Sequence, residues 1–361
     1  MKILTVTCHG VYNHGAILQE YALLKYLKQL GHEAQAINYQ PKYLVDSYRF
    51  FGVPSPKWQS NFIKRAVYVA AKLPKHLSNL KRYKAFDKFS SNYIDETKVI
   101  YQSNEDLIRN LPLADAYICG SDQIWNTLFQ NGKDPAFYLD FVPEDKIKFS
   151  YAASFATDHL HDGYEDFVYQ KAKKLDHISV RESSGVKILE DICIKNSTRV
   201  MDPVFLLNKQ FWIDEFVKPI PEDFILIYDF DTNTDLKNAA LRLAREKGWK
   251  IFGLNKNLTY ADEIFWSCDP AMFLTLLYHS KFVLCNSFHA LAFSLIFEKQ
   301  FVVFNRNVGI NTRMKDLLNS LNLDTRMGTT TMEGEIDYKD VNIKINELIK
   351  TSKDFIEKAL N

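Results

Sequence analysis

Four apolar residues, Phe282–Cys285, lead through Asn286-Ser287 into Phe288-His289-Ala290-Leu291 and an apolar stretch ending at Phe297. The pattern is that of a buried strand, a two-residue polar turn and a helix with a histidine in its first turn. Such a helix start offers free backbone N–H groups and the positive end of the helix dipole, which suits an anion. The same field favours a neutral imidazole at His289, a form able to act as a general base. The alternative is a core helix whose histidine hydrogen-bonds to the preceding loop.

Three further segments bring polar groups to points where an open α/β sheet binds ligands. Gly120-Ser121-Asp122-Gln123-Ile124-Trp125-Asn126 follows the apolar run Ala114–Cys119. Its carboxylate, amides and indole suit sugar hydroxyls and a sugar ring face. The alternative there is a helix cap from Ser121 or Asp122, with Trp125 filling the core. In Ser179-Val180-Arg181-Glu182, the guanidinium of Arg181 can fork onto a carboxylate or phosphate, or pair with Glu182. In Val11-Tyr12-Asn13-His14-Gly15-Ala16, Asn13 can cap a helix and Gly15 allows close approach to the backbone. No Gly-x-Gly-x-x-Gly or Walker A pattern occurs, so nicotinamide, flavin and ATP lack their main support. His9 with His14, or His159 with His161, has no third ligand at a familiar spacing, and no metal site is expected.

These segments need elements to hold them. Lys2–Thr7, a loop over Cys8–Gly15, a helix from about Ala16 to Leu30 closed by Gly31, and a strand over Glu33–Tyr39 make a βαβ opening. A parallel sheet follows, with ligands at the carboxyl ends of its strands. Residues 41–96 interrupt the rhythm as an inserted basic helical arm, with helices at Phe62–Leu73 and Leu77–Phe89 separated by Pro74. The rhythm resumes at Ala114–Cys119, Phe149–Ala153, Tyr164–Leu175 and His177–Val180, and Val200–Val204 closes the first half. After Pro219-Ile220-Pro221 a second unit runs through Phe224–Tyr228, Asp235–Lys247, Lys250–Gly253, Pro270–Ser280 and Phe301–Phe304. The expected architecture is two Rossmann-like α/β domains facing each other across a cleft, over residues 1–215 and 222–340. A terminal helix over 341–361 is expected to pack back on the first.

Bulk properties narrow the partners. At 361 residues and 47% hydrophobic content the chain can bury two ordinary cores. A net charge of +1 argues against a nucleic-acid binder. Nine Lys/Arg residues face one acid, Asp87, between Lys57 and Lys88, which leaves the remainder at −7. That basic arm is a solvated face or a contact for an acidic polymer or an anionic membrane surface. Five scattered cysteines without a C-x-x-C suggest reduced thiols in a cytosolic protein. The N-terminal run is too short for a signal peptide, and no run reaches transmembrane length.

Taken together, the motifs resemble the polysaccharide pyruvyl transferase family. The matching pieces, in order, are Asn13-His14-Gly15-Ala16, Gly120–Asn126, Tyr151-Ala152-Ala153-Ser154-Phe155, Ser179–Glu182, Asp202-Pro203-Val204-Phe205-Leu206-Leu207 and Asn286–Ala290. The resemblance implies a GT-B-like fold with the active site in its cleft. It implies transfer from phosphoenolpyruvate onto two hydroxyls of a sugar, giving a cyclic ketal and phosphate, with no cofactor beyond the donor. It also implies that Arg181 and His289 grip that donor. His289 and, more weakly, Asp122 are the candidates for proton transfer. Asn13, Gly15, Gly120, Ser121, Gln123, Trp125, Arg181, Asn286 and Ser287 are the candidate substrate-binding residues. Many members have Arg-Leu-His where this chain has Ser287-Phe288-His289. Arg306 or Arg313, downstream, can replace the missing guanidinium.

Two other functions fit the same residues. One is a GT-B glycosyltransferase using a nucleotide sugar, with Glu298 on the ribose, although only Gly309 lies between residues 286 and 325. The other is a glycan-binding protein that docks an acidic polymer on the basic arm. The expected enzyme works in the cytoplasm on a sugar nucleotide, a lipid-linked precursor or a polymeric glycan, at or near the inner membrane face.

Overall fold

The computed structural model describes residues 1–54, 56–328 and 334–361. Its strands are β1 (Lys2–Val6), β2 (Glu33–Ala36), β3 (Ala116–Cys119), β4 (Ile147–Ala153), β5 (His177–Val180), β6 (Thr198–Arg199), β7 (Phe224–Tyr228), β8 (Lys250–Gly253), β9 (Glu263–Ile264), β10 (Phe282–Cys285) and β11 (Gln300–Val303). They form two sheets, ordered β2-β1-β3-β4-β5-β6 and β11-β10-β7-β8-β9, and every pairing is parallel. Helices cover the faces of such sheets, so central strands are apolar throughout rather than alternating. Every residue of β3, β7 and β10 is buried. Strand order reverses between β1 and β3 in the first sheet and between β7 and β10 in the second. Crevices for ligands open at such switch points.

The helices that matter for the site are α1 (His14–Gln29), α2 (Phe62–Tyr93), α3 (Ser183–Asp191), α4 (Pro270–His279), α5 (Phe288–Ile296), α6 (Thr312–Ser320) and α7 (Tyr338–Leu360). Asn13 starts α1, its side-chain oxygen accepting from the N–H groups of Gly15 and Ala16 at 3.0 and 3.3 Å. α2 is continuous through Pro74, where two helices had been expected. Pro74 sits on the exposed side, where water can satisfy the carbonyl it leaves unpaired. Its carboxyl-terminal half is no free arm: Phe86 and Phe89 lie in the core, and Arg82 donates to the carbonyls of Tyr12 and Trp266. α7 lies against the first sheet, with Phe355 beside Phe149 and Tyr151, while the Ser352 hydroxyl accepts the Met201 N–H at 2.8 Å.

One apolar core runs through both halves, joining Ile118 and Phe149 to Trp212, Leu226, Val283 and Phe293. α1 is its centre, and 13 of its 16 residues are buried. It contacts both α4 and α5 of the second unit. The two halves are thus packed together beneath the strand ends. No helix among the described residues is long and apolar enough to cross a membrane.

Candidate active site

The carboxyl ends of the two sheets bring charged side chains from five chain segments to one place. Arg181, just beyond β5, is held by two carboxylates. One N–H group donates to Asp202, which follows β6, and another donates to Asp122, which follows β3, at 3.3 Å. Arg313, in the first turn of α6, donates to the same Asp122 oxygen at 3.4 Å. His289 places Nε2 3.5 Å from Asp202. Phe288 lies under both arginines, its ring centre 4.4 Å from the Arg181 guanidinium and 5.4 Å from that of Arg313. Such stacking fixes the planes of the guanidiniums.

Gly15 admits the histidine. A Cβ there would stand 2.0 Å from His289 Nδ1, so only glycine lets the imidazole lie against α1. Gly120 serves the backbone instead: its φ is +115°, and a Cβ would meet the Tyr151 carbonyl at 2.2 Å. That close approach carries the chain past β4 into Asp122, which adopts a left-handed φ of 65°, a conformation aspartate tolerates better than most residues.

The electrostatics are those of a paired, nearly dry cluster. Burial alone would raise the Asp202 carboxyl, but His289 and Arg181 outweigh it and hold the group well below the usual carboxylate range. Asp122 is likewise lowered, burial being overcome by Arg181, His289 and Arg313. Burial and the like charge of Arg181 push Arg313 down to about 10, so it remains a cation at neutral pH. Among the described residues, Arg181 Nε and Arg313 Nε are buried without a hydrogen-bond partner. Two cations and two carboxylates therefore face one another beside an imidazole. That arrangement can hold a small anion on the guanidiniums and can move a proton through His289 or Asp122.

Asp122, Arg181, His289, Arg313 and Gly15 meet here, although they are distant in sequence. Between the two replacements considered for the missing arginine, Arg313 enters the cluster. Arg306 turns away to pair with Asp231 at 2.9 Å and to cover Phe230. Arg181 does not pair with Glu182, which instead accepts from the Ser154 hydroxyl and the Ala156 N–H, both at 2.9 Å. Trp125 corrects an expectation: it is wholly buried, donates to the Phe137 carbonyl at 2.9 Å and stacks on Tyr138, so it fills the core and offers no face to a sugar. Ser121 is buried too, donating to the Ala152 carbonyl at 2.7 Å beside Asp202. Asn13 and Ser287 act as helix caps. Asn286 ties β10 to the Asp229 loop, and Gln123 accepts from Asn126.

Sequence reasoning gives no separate role to Asp202 or Phe288. The signal for Asp202 is a carboxylate just past a strand end, the placement it shares with Asp122. His9 pairs with Glu96 at 2.8 Å, and His14 lies between Tyr228 and the Cys268 carbonyl. Among the described residues no group of three His, Cys, Asp or Glu side chains could hold a metal ion.

A cavity of about 340 Å³ opens at the ends of β1 and β2, lined among others by His9, Gln40, Tyr48, Arg49, Asp87 and Glu96. Its mix of amide, acids and phenol is of the kind that recognises hydroxyl groups.

A family model described as polysaccharide pyruvyl transferase matches residues 13–307. No curated protein matches the chain. Among solved structures, a Listeria monocytogenes protein assigned as a UDP-N-acetylglucosamine 2-epimerase superposes with a TM-score of 0.50 at 8% identity, covering 99% of this chain and 90% of its own. UDP-GlcNAc 2-epimerase from Neisseria meningitidis, bound to UDP-GlcNAc, gives 0.48 at 12% identity over 99% and 94%. The Escherichia coli heptosyltransferase WaaC with ADP gives 0.40 at 11% identity over 99% and 100%. At such identities the likeness concerns the fold alone, two facing parallel-sheet units of GT-B type.

Proposed function

Because the chain belongs to the polysaccharide pyruvyl transferase family, we propose that it transfers a pyruvyl group from phosphoenolpyruvate to a sugar of a surface polysaccharide or its precursor. Two hydroxyls of that sugar are bridged as a cyclic ketal, and phosphate is released. The observation that carries this reading is the convergence of Arg181 and Arg313, from opposite halves of the molecule, on Asp122 beside His289. Phosphoenolpyruvate bears a carboxylate and a phosphate, and two guanidiniums with fixed planes match two such groups.

The chemistry assigns work to each residue. One sugar hydroxyl adds to C2 of the donor, and C3 takes a proton to become a methyl group. Phosphate then leaves C2, and the second hydroxyl closes the ring there. Of the two hydroxyl protons, one is accounted for at C3 and the other in the phosphate. His289, facing Asp202, is given the opposite role to the neutral base that the helix field suggests: it is the acid that protonates C3. Asp122 takes the hydroxyl proton. Donor anions compete with Asp122 for the same N–H groups, and neutralising the arginines removes what depresses its basicity.

The cavity at the ends of β1 and β2 offers Tyr48, Gln40 and Glu96 as hydroxyl-binding groups for the acceptor sugar. The donor is an intracellular metabolite, which puts the reaction in the cytoplasm, and no cofactor is needed. In the nucleotide-sugar transferase reading Glu298 would touch the ribose; its carboxylate is held by Lys209 and Asn342 at 2.6 and 2.7 Å. The test is phosphate release from phosphoenolpyruvate across a panel of sugars, nucleotide sugars and glycans. Release that depends on an acceptor supports the proposal. Tight binding of UDP or GDP, with no response to phosphoenolpyruvate, overturns it.

A further inference from the structure

The amino-terminal half of α2 shows apolar side chains to solvent where a soluble helix would show polar ones. Phe62 is 85% exposed, Ile63 72%, Val67 53% and Leu77 54%, and Phe51 in the preceding loop is 68% exposed. At about 100° per residue, Phe62, Ile63, Ala66, Val67, Leu73 and Leu77 fall within an arc about 140° wide. Lys81, Lys84 and Lys88 continue the same arc towards the body of the protein, and all three are exposed. Lys64 and Lys75 lie beside one edge of the apolar part. From Ser47 to Phe86 the chain carries nine Lys/Arg residues and no acid.

The other side of the helix is engaged within the fold. Lys72 donates to the carbonyls of Asp46, Arg49 and Gly52, and Arg82 is clamped between the rings of Phe86 and Trp266. The engaged side therefore holds the apolar face outward along a spur about 20 Å long.

We infer that this spur is a peripheral docking device for an anionic phospholipid surface. Its phenylalanine, isoleucine, valine and leucine side chains enter the headgroup boundary, and the lysines behind them meet lipid phosphates. Charge decides the occupant. A second copy bound through the same face would lay this patch on itself and set lysine against lysine, since a twofold interface is self-complementary. An anionic lipid surface satisfies both the apolar arc and its cationic surround. The spur leaves the first domain, which also carries the proposed acceptor cavity, so docking would bring that cavity towards acceptors carried on lipid.

The inference goes beyond the transfer reaction and is tested without it. Purified full-length protein is floated with vesicles of phosphatidylcholine alone and of phosphatidylcholine mixed with phosphatidylglycerol. Wild type should float with the anionic vesicles only and be released by salt. Ile63→Glu/Val67→Glu should lower binding at least tenfold, and each of Lys81→Ala and Lys84→Ala about fivefold. All these positions are exposed, so circular dichroism and melting temperature should match wild type. Absence of wild-type flotation, equal flotation of the variants, or a dimer in sedimentation that Ile63→Glu/Val67→Glu dissociates would each overturn the assignment.

Discussion

Replacing Gly15 with alanine is a small change with a calculable consequence. Position 15 lies in the first turn of α1, where alanine is favoured over glycine by about 1 kcal/mol on helix propensity alone. The new Cβ, however, would stand 2.0 Å from His289 Nδ1 and 2.1 Å from its Cγ, against ordinary contact from 3.4 Å. The imidazole must retreat by about 1.4 Å, away from the position in which it faces Asp202. Overpacking of this kind costs about 1–3 kcal/mol, so the net loss of stability is about 0–2 kcal/mol and the fold survives. Catalysis is less forgiving: a displacement of about 1 Å costs on the order of a hundredfold. The assay pairs acceptor-dependent phosphate release with a thermal melt, for Gly15→Ala, His289→Ala and the double variant. Gly15→Ala should lose about two orders of magnitude in kcat while melting near wild type. In the His289→Ala background the same change should cost no stability, because the clash has been removed. Activity of Gly15→Ala within about threefold of wild type would refute the contact, the role of His289 or both.

Other substitutions separate the parts of the site. Arg313→Gln should weaken phosphoenolpyruvate binding by roughly tenfold to a hundredfold in calorimetry, as expected for a charge-assisted hydrogen bond, while Arg306→Gln leaves it unchanged. Trp125→Phe should cost about 1–3 kcal/mol in denaturant unfolding, by orphaning the Phe137 carbonyl, and should leave the acceptor KM unaltered. His14 is a pH-sensitive element: burial, then the Arg82 charge, depresses its imidazole well below the ordinary value. Below about pH 6.5 the unfolded chain takes up a proton at His14 that the native state refuses. Stability should therefore fall by about 1.4 kcal/mol per pH unit from this group, a slope that His14→Phe abolishes in unfolding curves between pH 7 and 5.

The strands were legible because buried parallel strands are continuous apolar runs. Phe224–Tyr228, Lys250–Gly253 and Phe282–Cys285 lie where the sequence puts them, to the residue. α3 carries a weak sequence signal because Ser183-Ser184-Gly185 is a poor helix start, and a Cβ added at Gly185 would stand 3.2 to 3.4 Å from Val180 and Phe155. Pro74 suggested a break, but exposure decides what proline costs, and solvent meets it on one side. Asp122, Arg181 and His289 could each be picked out as polar residues at strand ends. Their pairing, and the part played by Asp202, depend on how β3, β5, β6 and β10 converge, which no local pattern encodes. Trp125 shows the reverse error, a side chain drawn into the site by its polar neighbours although its own indole belongs to the core.

The most direct test is a crystal structure with phosphoenolpyruvate bound. The donor should lie between the two halves, its carboxylate and phosphate within hydrogen-bonding distance of Arg181 and Arg313, with His289 facing C3 and Asp122 released from at least one guanidinium. A donor bound elsewhere, with the Arg181–Asp122–Arg313 bridge intact, would contradict the proposed mechanism.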